Sequence, residues 1–428
     1  VRNVYIQTLP TGFAQAASLK IRINRLEFQT VANVSPSRTT LSVLLSVVFL
    51  DNLGYAIIFP YVYFYASSLG ASALAYGLLL SAYSLMSFIF TPIIARLSDR
   101  YGRRSILLPA LLTSGLSYVV FGLANVLWLL FLARIIAGTT AATIPVAQAY
   151  VADVTTAKER LKYLAWTGAA GGLAFIVGQA VGGVLSGFFG YAAPSFLAAA
   201  LAFWNLISAY FWLSEPVHSV YDAKKSAFTL SALREVLRKR AIALLFTVYF
   251  IFFISFVFLQ AVIPPWLERL FGFGPLQTSL LFVYIGILSV VTQTVILPWL
   301  SKKTESMTLA MAGVILLGVG LLGLGTLPFL VLLVLMGALV AFGFGILITT
   351  LITLISVSAP VEAQGGTLGL AQSFAALAQT IGPTLAASLF AFGLSIGVVG
   401  FAFIISAGLT LATIPLMTNL RRRKKTET

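Results

Sequence analysis

The sequence predicts an all-α membrane protein whose twelve transmembrane helices form two pseudo-symmetric six-helix bundles. Three observations carry that prediction. The 428 residues are 59% apolar and 9% charged, with a mean hydropathy of +1.00, whereas soluble domains are about one quarter charged. Apolar stretches of ~18 residues or more, each able to cross a ~30 Å hydrocarbon core, recur along most of the chain. Of the 27 Lys and Arg, all but Arg134 and Arg269 lie at the chain ends or in four gaps between those stretches. Translocated loops avoid Lys and Arg, so this alternation predicts a multi-pass protein of the cell membrane with both termini cytoplasmic.

The elements follow in order. The basic clusters run from Arg2 to Arg38, Arg96 to Arg104, Lys158 to Lys162, Lys224 to Arg240, Lys302 to Lys303 and Arg421 to Lys425. Between them the apolar runs predict spans at 40–66, 74–97, 105–124, 127–150, 163–187, 192–214, 241–264, 276–299, 307–325, 329–352, 366–391 and 397–417. Helices are the assignment, because a barrel would need an alternating apolar and polar pattern that is missing. Residues 1–39 form a cytoplasmic N-terminal segment. It has no apolar core long enough for a signal peptide, and its Leu19–Arg25 stretch could lie along the inner leaflet. Residues 40–214 form the first six-helix bundle. Residues 215–240 are a connector, with His218 and an amphipathic stretch at Leu230–Leu237 lying on the membrane surface. Residues 241–417 form the second bundle, and 418–428 a basic tail.

The two bundles echo each other. Val48–Phe49–Leu50–Asp51 in span 1 returns as Val257–Phe258–Leu259–Gln260 in span 7. At nearly the same offset, Ile176 to Gly182 in span 5 returns as Thr380 to Ala386 in span 11. The repeat implies two related units about an axis along the membrane normal, with a path between them near the midplane.

Composition also excludes. A net charge of +15 is explained by the positive-inside bias, and no aromatic-basic patch accompanies it, so nucleic acid is not an expected partner. No Gly-x-x-x-x-Gly-Lys-Ser/Thr loop is present, so ATP is not the energy source. An intramembrane enzyme would need a nucleophile with its base, paired aspartates or metal ligands. Apart from Arg96 at the cytoplasmic end of the second, the predicted spans hold one Asp, one Arg and no His or Cys. No metal site and no cofactor are expected.

The loop between spans 2 and 3 reads Ala95–Arg96–Leu97–Ser98–Asp99–Arg100–Tyr101–Gly102–Arg103–Arg104. It resembles the signature loop of the major facilitator superfamily, Gly-x-x-x-Asp-Arg-x-Gly-Arg-Arg, with Ala95 in place of the first glycine. The resemblance implies the major facilitator fold and a conformational latch formed by Asp99, Arg100, Gly102, Arg103 and Arg104. Within that latch, Arg103 would meet Asp153 at the end of span 4.

Asp51 and Arg134 are the ionised types inside the predicted spans. Asp51 lies ~16 Å into span 1 from the inside and Arg134 ~19 Å from the inside along span 4, at ~1.5 Å per residue. A charge there costs several kcal/mol unless paired or hydrated, so a direct or water-bridged pair is expected. It could either exchange a proton or fix spans 1 and 4 permanently. Asp51, Gly54 and Pro60, with Arg134 to Gly138 and the run Ala149 to Asp153, resemble the drug/proton antiporter group, particularly its tetracycline-exporter-like branch. That group's span 5 motif has Gly-Pro, whereas this chain has Gly178–Gln179 followed by Gly182 and Gly183. Gly382 and Pro383 stand in the matching part of span 11. These small residues form the expected helix-packing motif.

Exporters of tetracycline carry acids in spans corresponding to 3 and 9. This chain has none there, so tetracycline itself is not the expected substrate. The expected cavity is neutral, lined by Asn52, Tyr55, Tyr83, Gln148, Gln179, Gln260, Tyr284, Gln293, Gln372 and Gln379. Such a lining suits a moderately hydrophobic organic molecule. The resemblance thus implies alternating access, with protons exchanged for an organic substrate that leaves the cell. The alternative is uptake of a sugar or organic acid by symport or uniport. A monomer in the lipid bilayer is expected.

Overall fold

A computed structural model describes residues 38–216, 240–327, 329–359 and 364–427. The Leu19–Arg25 stretch, His218 and the Leu230–Leu237 stretch lie outside the described residues. Twelve helices long and apolar enough to cross a membrane occur among the described residues: Thr39–Ile58, Ala73–Tyr101, Arg103–Gly122, Leu127–Val154, Lys162–Phe189, Ala192–Trp212, Ala241–Phe271, Pro275–Ser301, Ser306–Thr326, Leu330–Val357, Gly366–Ser395 and Phe401–Arg422. They are spans 1 to 12 below. Large apolar side chains such as Phe188, Phe211, Val295 and Val331 are exposed on their outer surfaces. Such surface is stable where hydrocarbon replaces water. The molecule is an all-α multi-pass membrane protein.

Proline sets most departures from unbroken helices. A proline offers no N–H to the carbonyl four residues back, and its ring crowds that carbonyl. The predicted first span ends at Ile58 ahead of Pro60, and the chain resumes as a short helix at Val62–Ser68. Span 4 divides into Leu127–Thr139 and Thr143–Val154. Pro145 sits in the first turn of the second piece, where it is tolerated, and the Thr140 and Thr143 hydroxyls bond carbonyls across the break at 3.2 and 3.3 Å. A single π turn at Thr292–Ile296 precedes Pro298 in span 8. Span 12 breaks between Leu411 and Ile414, ahead of Pro415, and its helix continues to Glu427, well past residue 417. Span 7 passes through Pro264 and Pro265 and runs to Phe271. Glu268 and Arg269 therefore lie on its last turns, not in a loop.

The buried apolar residues fall into separate cores. Two are built from the first six spans, one around Tyr61, Phe121 and Leu130 and one around Leu44, Leu107 and Tyr150. A third is built almost wholly from the last six, around Phe246, Trp266 and Phe403. Phe59 crosses over: it belongs to the third core and meets the Phe282 ring edge-on at 5.7 Å.

Glycines decide how closely the helices approach. A methyl at Gly178 in span 5 would sit 2.6 Å from Ala56 Cβ and 2.9 Å from the Leu53 carbonyl of span 1. One at Gly382 in span 11 would sit 2.8 Å from Val257 of span 7. Span 5 therefore packs on span 1 as span 11 packs on span 7, through glycines at matching places in the repeat. Between the two sets of spans, a methyl at Gly77 would stand 2.8 Å from the Pro383 carbonyl, and Gly183 faces Ser279. Ser81 and Thr384 share a hydrogen bond of 2.8 Å, and the Tyr63 hydroxyl donates to Glu268 at 2.5 Å.

All these cross-contacts lie toward the ends of the helices remote from residues 38 and 427. Toward the other ends, added methyls at Gly168, Gly172 and Gly369 would meet nothing within 4 Å. Among the described residues, these contacts between the two sets of spans lie toward one face, and these three glycines meet nothing toward the face carrying the basic clusters.

These contacts predict opposite outcomes for two substitutions in span 5. Gly182→Leu would drive a side chain into the Ile57 carbonyl, and the purified protein should lose several degrees in thermal unfolding or fail to accumulate. Gly172→Ala, with open space around it, should leave unfolding unchanged or raise it, since alanine is favoured over glycine in a helix by about 1 kcal/mol.

Candidate functional site

A narrow cleft lies where the two sets of spans meet. Tyr55 and Phe59 come from the span 1 region, Leu80, Tyr83 and Ser84 from span 2, and Arg134 from span 4. Val257, Gln260 and Ala261 come from span 7, Gln379 and Pro383 from span 11. Helical spacing explains the grouping: 55 and 59, 80 and 83/84, 257 and 260/261, and 379 and 383 each stack on one helix face.

Arg134 is 3% exposed. Its place is fixed one turn away, where a methyl at Gly138 would come 2.5 Å from the Tyr83 carbonyl; only glycine lets span 4 lie that close to span 2. The guanidinium consequently rests over the rings of Phe121, at 5.2 Å, and Tyr83, at 5.8 Å. Its Nε is buried without a hydrogen-bond partner, and no described residue accepts a hydrogen bond from it.

The direct Asp51–Arg134 pair is not formed, as neither residue belongs to an ion pair among the described residues. Aromatic side chains pack on Arg134 instead. Tyr83 and Tyr118 stand within electrostatic reach of both charges, and Gly54 leaves room for the Tyr118 ring beside span 1. Cation–π contacts supply about 0.5–2 kcal/mol, less than the several kcal/mol that desolvating an ion costs. Arg134 is thus held ready for an acceptor within the cleft.

The other sequence-chosen cavity residues divide. Tyr55, Tyr83, Gln260 and Gln379 line the cleft. Asn52 donates to its own helix at Val48, 2.8 Å, and Gln293 to Ser289, 3.3 Å. Tyr284 donates to the Val334 carbonyl of span 10 at 3.1 Å. Gln179 is 1% exposed with its Oε1 unpartnered, and Gln148 and Gln372 are outside the lining. A lone amide in an apolar helix gives no sign of which face it occupies, which is why composition alone overcounted. Phe59, Leu80 and Ser84 were missed, although their spacing from Tyr55 and Tyr83 could have found them.

At the face of the basic clusters, Arg103 joins three groups. Its Nε donates to Asp153 at 2.8 Å and it pairs with Asp99 at 2.5 Å and Ser98 Oγ at 2.7 Å. Gly102 adopts φ +103°, a region open to glycine. A methyl there would also strike the Glu215 carboxylate, 2.5 Å away. Glu215, which sequence reasoning missed, caps span 3 by accepting from the Arg104 and Ser105 amides at 3.2 and 3.1 Å. Arg104 in turn donates to the Tyr210 carbonyl at 2.7 Å, while Arg100 lies over the Tyr101 ring at 5.2 Å. These bonds tie spans 2, 3, 4 and 6 together, all on one side of the cleft.

Comparison with known proteins agrees with this geometry. A family model described as Major Facilitator Superfamily matches residues 44–383. The multidrug resistance protein 2 of Bacillus subtilis (strain 168) is 30% identical over 394 residues, covering 89% of this chain and 96% of that protein. The class B tetracycline resistance protein of Escherichia coli is 29% identical over 374 residues, covering 84% and 92%. Among solved structures, a bacterial homolog of the human lysosomal transporter Spinster, inward-facing and occupied, superposes with a TM-score of 0.71 at 16% identity, covering 89% and 94%.

Removing the cap tests the loop. Glu215→Ala should cost about 1–2 kcal/mol by freeing two span 3 amides and a favourable charge at a helix N-terminus. Glu215→Gln, which keeps an acceptor, should cost less. Thermal unfolding of the purified variants reads the difference, and equal stability of both with wild type would remove Glu215 from the account.

Proposed function

The chain belongs to the major facilitator superfamily of membrane transporters, and on that footing we propose that it exports a moderately hydrophobic organic compound in exchange for protons by alternating access. It is a transporter and not an enzyme. The observation that carries the reading is the cleft itself: both sets of spans contribute to it, and among the described residues the direct contacts between them through Gly77, Gly183, Ser81 and Tyr63 lie toward one face only. A site at the seam of two bodies changes sides when they rock about it. Similarity along most of the chain to proteins named for tetracycline and multidrug resistance supports the outward direction. Spans 3 and 9 hold no carboxylate, so a metal-chelated drug is not the substrate in this reading.

The two bodies are residues 40–214 and 241–417, joined by 215–240 and flanked by the segments 1–39 and 418–428. The positive-inside bias puts the basic face and both termini in the cytoplasm, and the membrane is the plasma membrane. The cleft in this structure then opens inward. The bilayer, protons and the organic substrate are the partners of a monomer, with no role for nucleic acid. Asp51 is the residue that takes up and releases the proton, with Arg134 beside it to favour release. The network of Asp99, Arg100, Gly102, Arg103, Arg104 and Asp153 holds the first body rigid and serves as the latch.

Two measurements check this reading. In everted vesicles acidified inside, candidate compounds should release protons with the wild type and not with Asp51→Asn, as read by a pH-sensitive dye. Proton release unaffected by Asp51→Asn would remove that residue from the coupling step, and entry of labelled sugars or acids into cells without proton exchange would overturn export. The chain has no cysteine, so paired substitutions Ser81→Cys and Thr384→Cys report on rocking. Oxidation should form a disulfide, arrest transport and be reversed by a reductant; full transport by the cross-linked protein would rule out opening at that face.

A further inference from the structure

Among the described residues, Arg134 is the one ionised group lining the cleft; the other lining groups are neutral amides, hydroxyls, rings and aliphatic chains. The Arg134 guanidinium lies over the Phe121 and Tyr83 rings, and its N–H groups have no acceptor among the described residues. A buried donor set of this kind asks for an oxygen from the bound molecule. Around it, Tyr55 lies 5.1 Å from the Tyr83 ring and 6.3 Å from Phe59. With Leu80, Val257 and Pro383 they form walls suited to a flat apolar body. Gln260 and Gln379 face it from the second body.

Charge narrows the class of molecule. A cation would enter a cleft whose one formal charge is positive, with no carboxylate in the lining. An anion would pair well with Arg134 yet conflict with proton exchange. Asp51 lies close enough for Tyr83 and Tyr118 to feel both it and Arg134. A negative charge on Arg134 would hold the proton on Asp51, and loading the substrate must instead accompany its release. A neutral acceptor avoids both penalties.

We propose that Arg134 is a subsite for a neutral aromatic compound bearing a strong hydrogen-bond acceptor, such as an amide or ketone carbonyl, whose rings pack among Tyr55, Phe59 and Tyr83. This assignment rests on the proton-exchange reading above and names the substrate class for the same cleft.

The test uses four naphthalene probes that differ at one position: N,N-dimethyl-2-naphthamide, 2-ethylnaphthalene, naphthalene-2-sulfonate and a naphthyl trimethylammonium. Binding is titrated on the full-length protein in nanodiscs of zwitterionic lipid, with empty discs subtracted. The amide should bind at least about tenfold more tightly than each of the others, the ratio expected for one hydrogen bond to a charged donor. Arg134→Met should bring the amide down to the level of 2-ethylnaphthalene. The wild-type order alone decides the class even if that variant folds poorly. Tightest binding of the sulfonate or the ammonium, binding of none, or an amide preference that survives in a folded Arg134→Met overturns the subsite. The exporter reading is tested apart from it. If the amide binds but exchanges no protons in vesicles, the coupling fails and the subsite stands. If charged probes alone drive proton exchange, the exporter stands and the subsite falls.

Discussion

The rest of this structure depends on how closely its helices may approach one another, and glycine sets that limit. Gly178 and Gly382 bring spans 5 and 11 against spans 1 and 7, so each set of six helices has a rigid inner pair. Gly77 and Gly183 do the same between the sets, at one face only. Hydrocarbon gives apolar helices no reason to leave lipid for each other, so van der Waals contact and hydrogen bonds decide their packing. Contact confined to one end of the molecule leaves a cleft whose opening toward the other end follows directly from where the small residues fall.

The same rule places the buried charge. Gly138 lets span 4 lie on the backbone of Tyr83, and Arg134, one turn away, is carried onto the Tyr83 and Phe121 rings. Those rings hold the guanidinium without quenching it. A permanent ion pair would have satisfied the arginine and left nothing for a ligand to gain. Tyr83 and Tyr118 lie within electrostatic reach of both Asp51 and Arg134, which form no ion pair, an arrangement compatible with the proton exchange proposed for this site.

At the basic face the hydrogen bonds serve a different end. Arg103 and Glu215 each join several backbone segments of the first six spans: the arginine through Asp99, Ser98 and Asp153, the carboxylate through the amides that open span 3. Each of these partners belongs to one side of the cleft. Such bonds stiffen one body without tying it to the other, as rocking of two bodies requires. The single Tyr63–Glu268 bond and the Ser81–Thr384 bond that do cross are few and individually weak, about 1 kcal/mol or so each.

Spans and class were legible in the sequence because hydropathy and the Lys/Arg alternation are one-dimensional: each depends only on which residues enter lipid and which stay behind. One part of the sequence repeat has a counterpart in the packing, since Gly178 lies on span 1 as Gly382 lies on span 7. Breaks such as those before Pro60 and Pro145 follow from a local rule, though reading them requires knowing which helix a proline interrupts. Which polar residues share the cleft was decided by tertiary structure. Gln260 and Gln379 face it while Gln293 bonds its own helix, because the direction of a side chain depends on helix rotation, and rotation is set by neighbours. Likewise, depth along two helices could bring Asp51 and Arg134 to one height but could not show that Arg134 packs on aromatic rings with no ion pair to Asp51. Height is a property of the chain; lateral separation is a property of the packing.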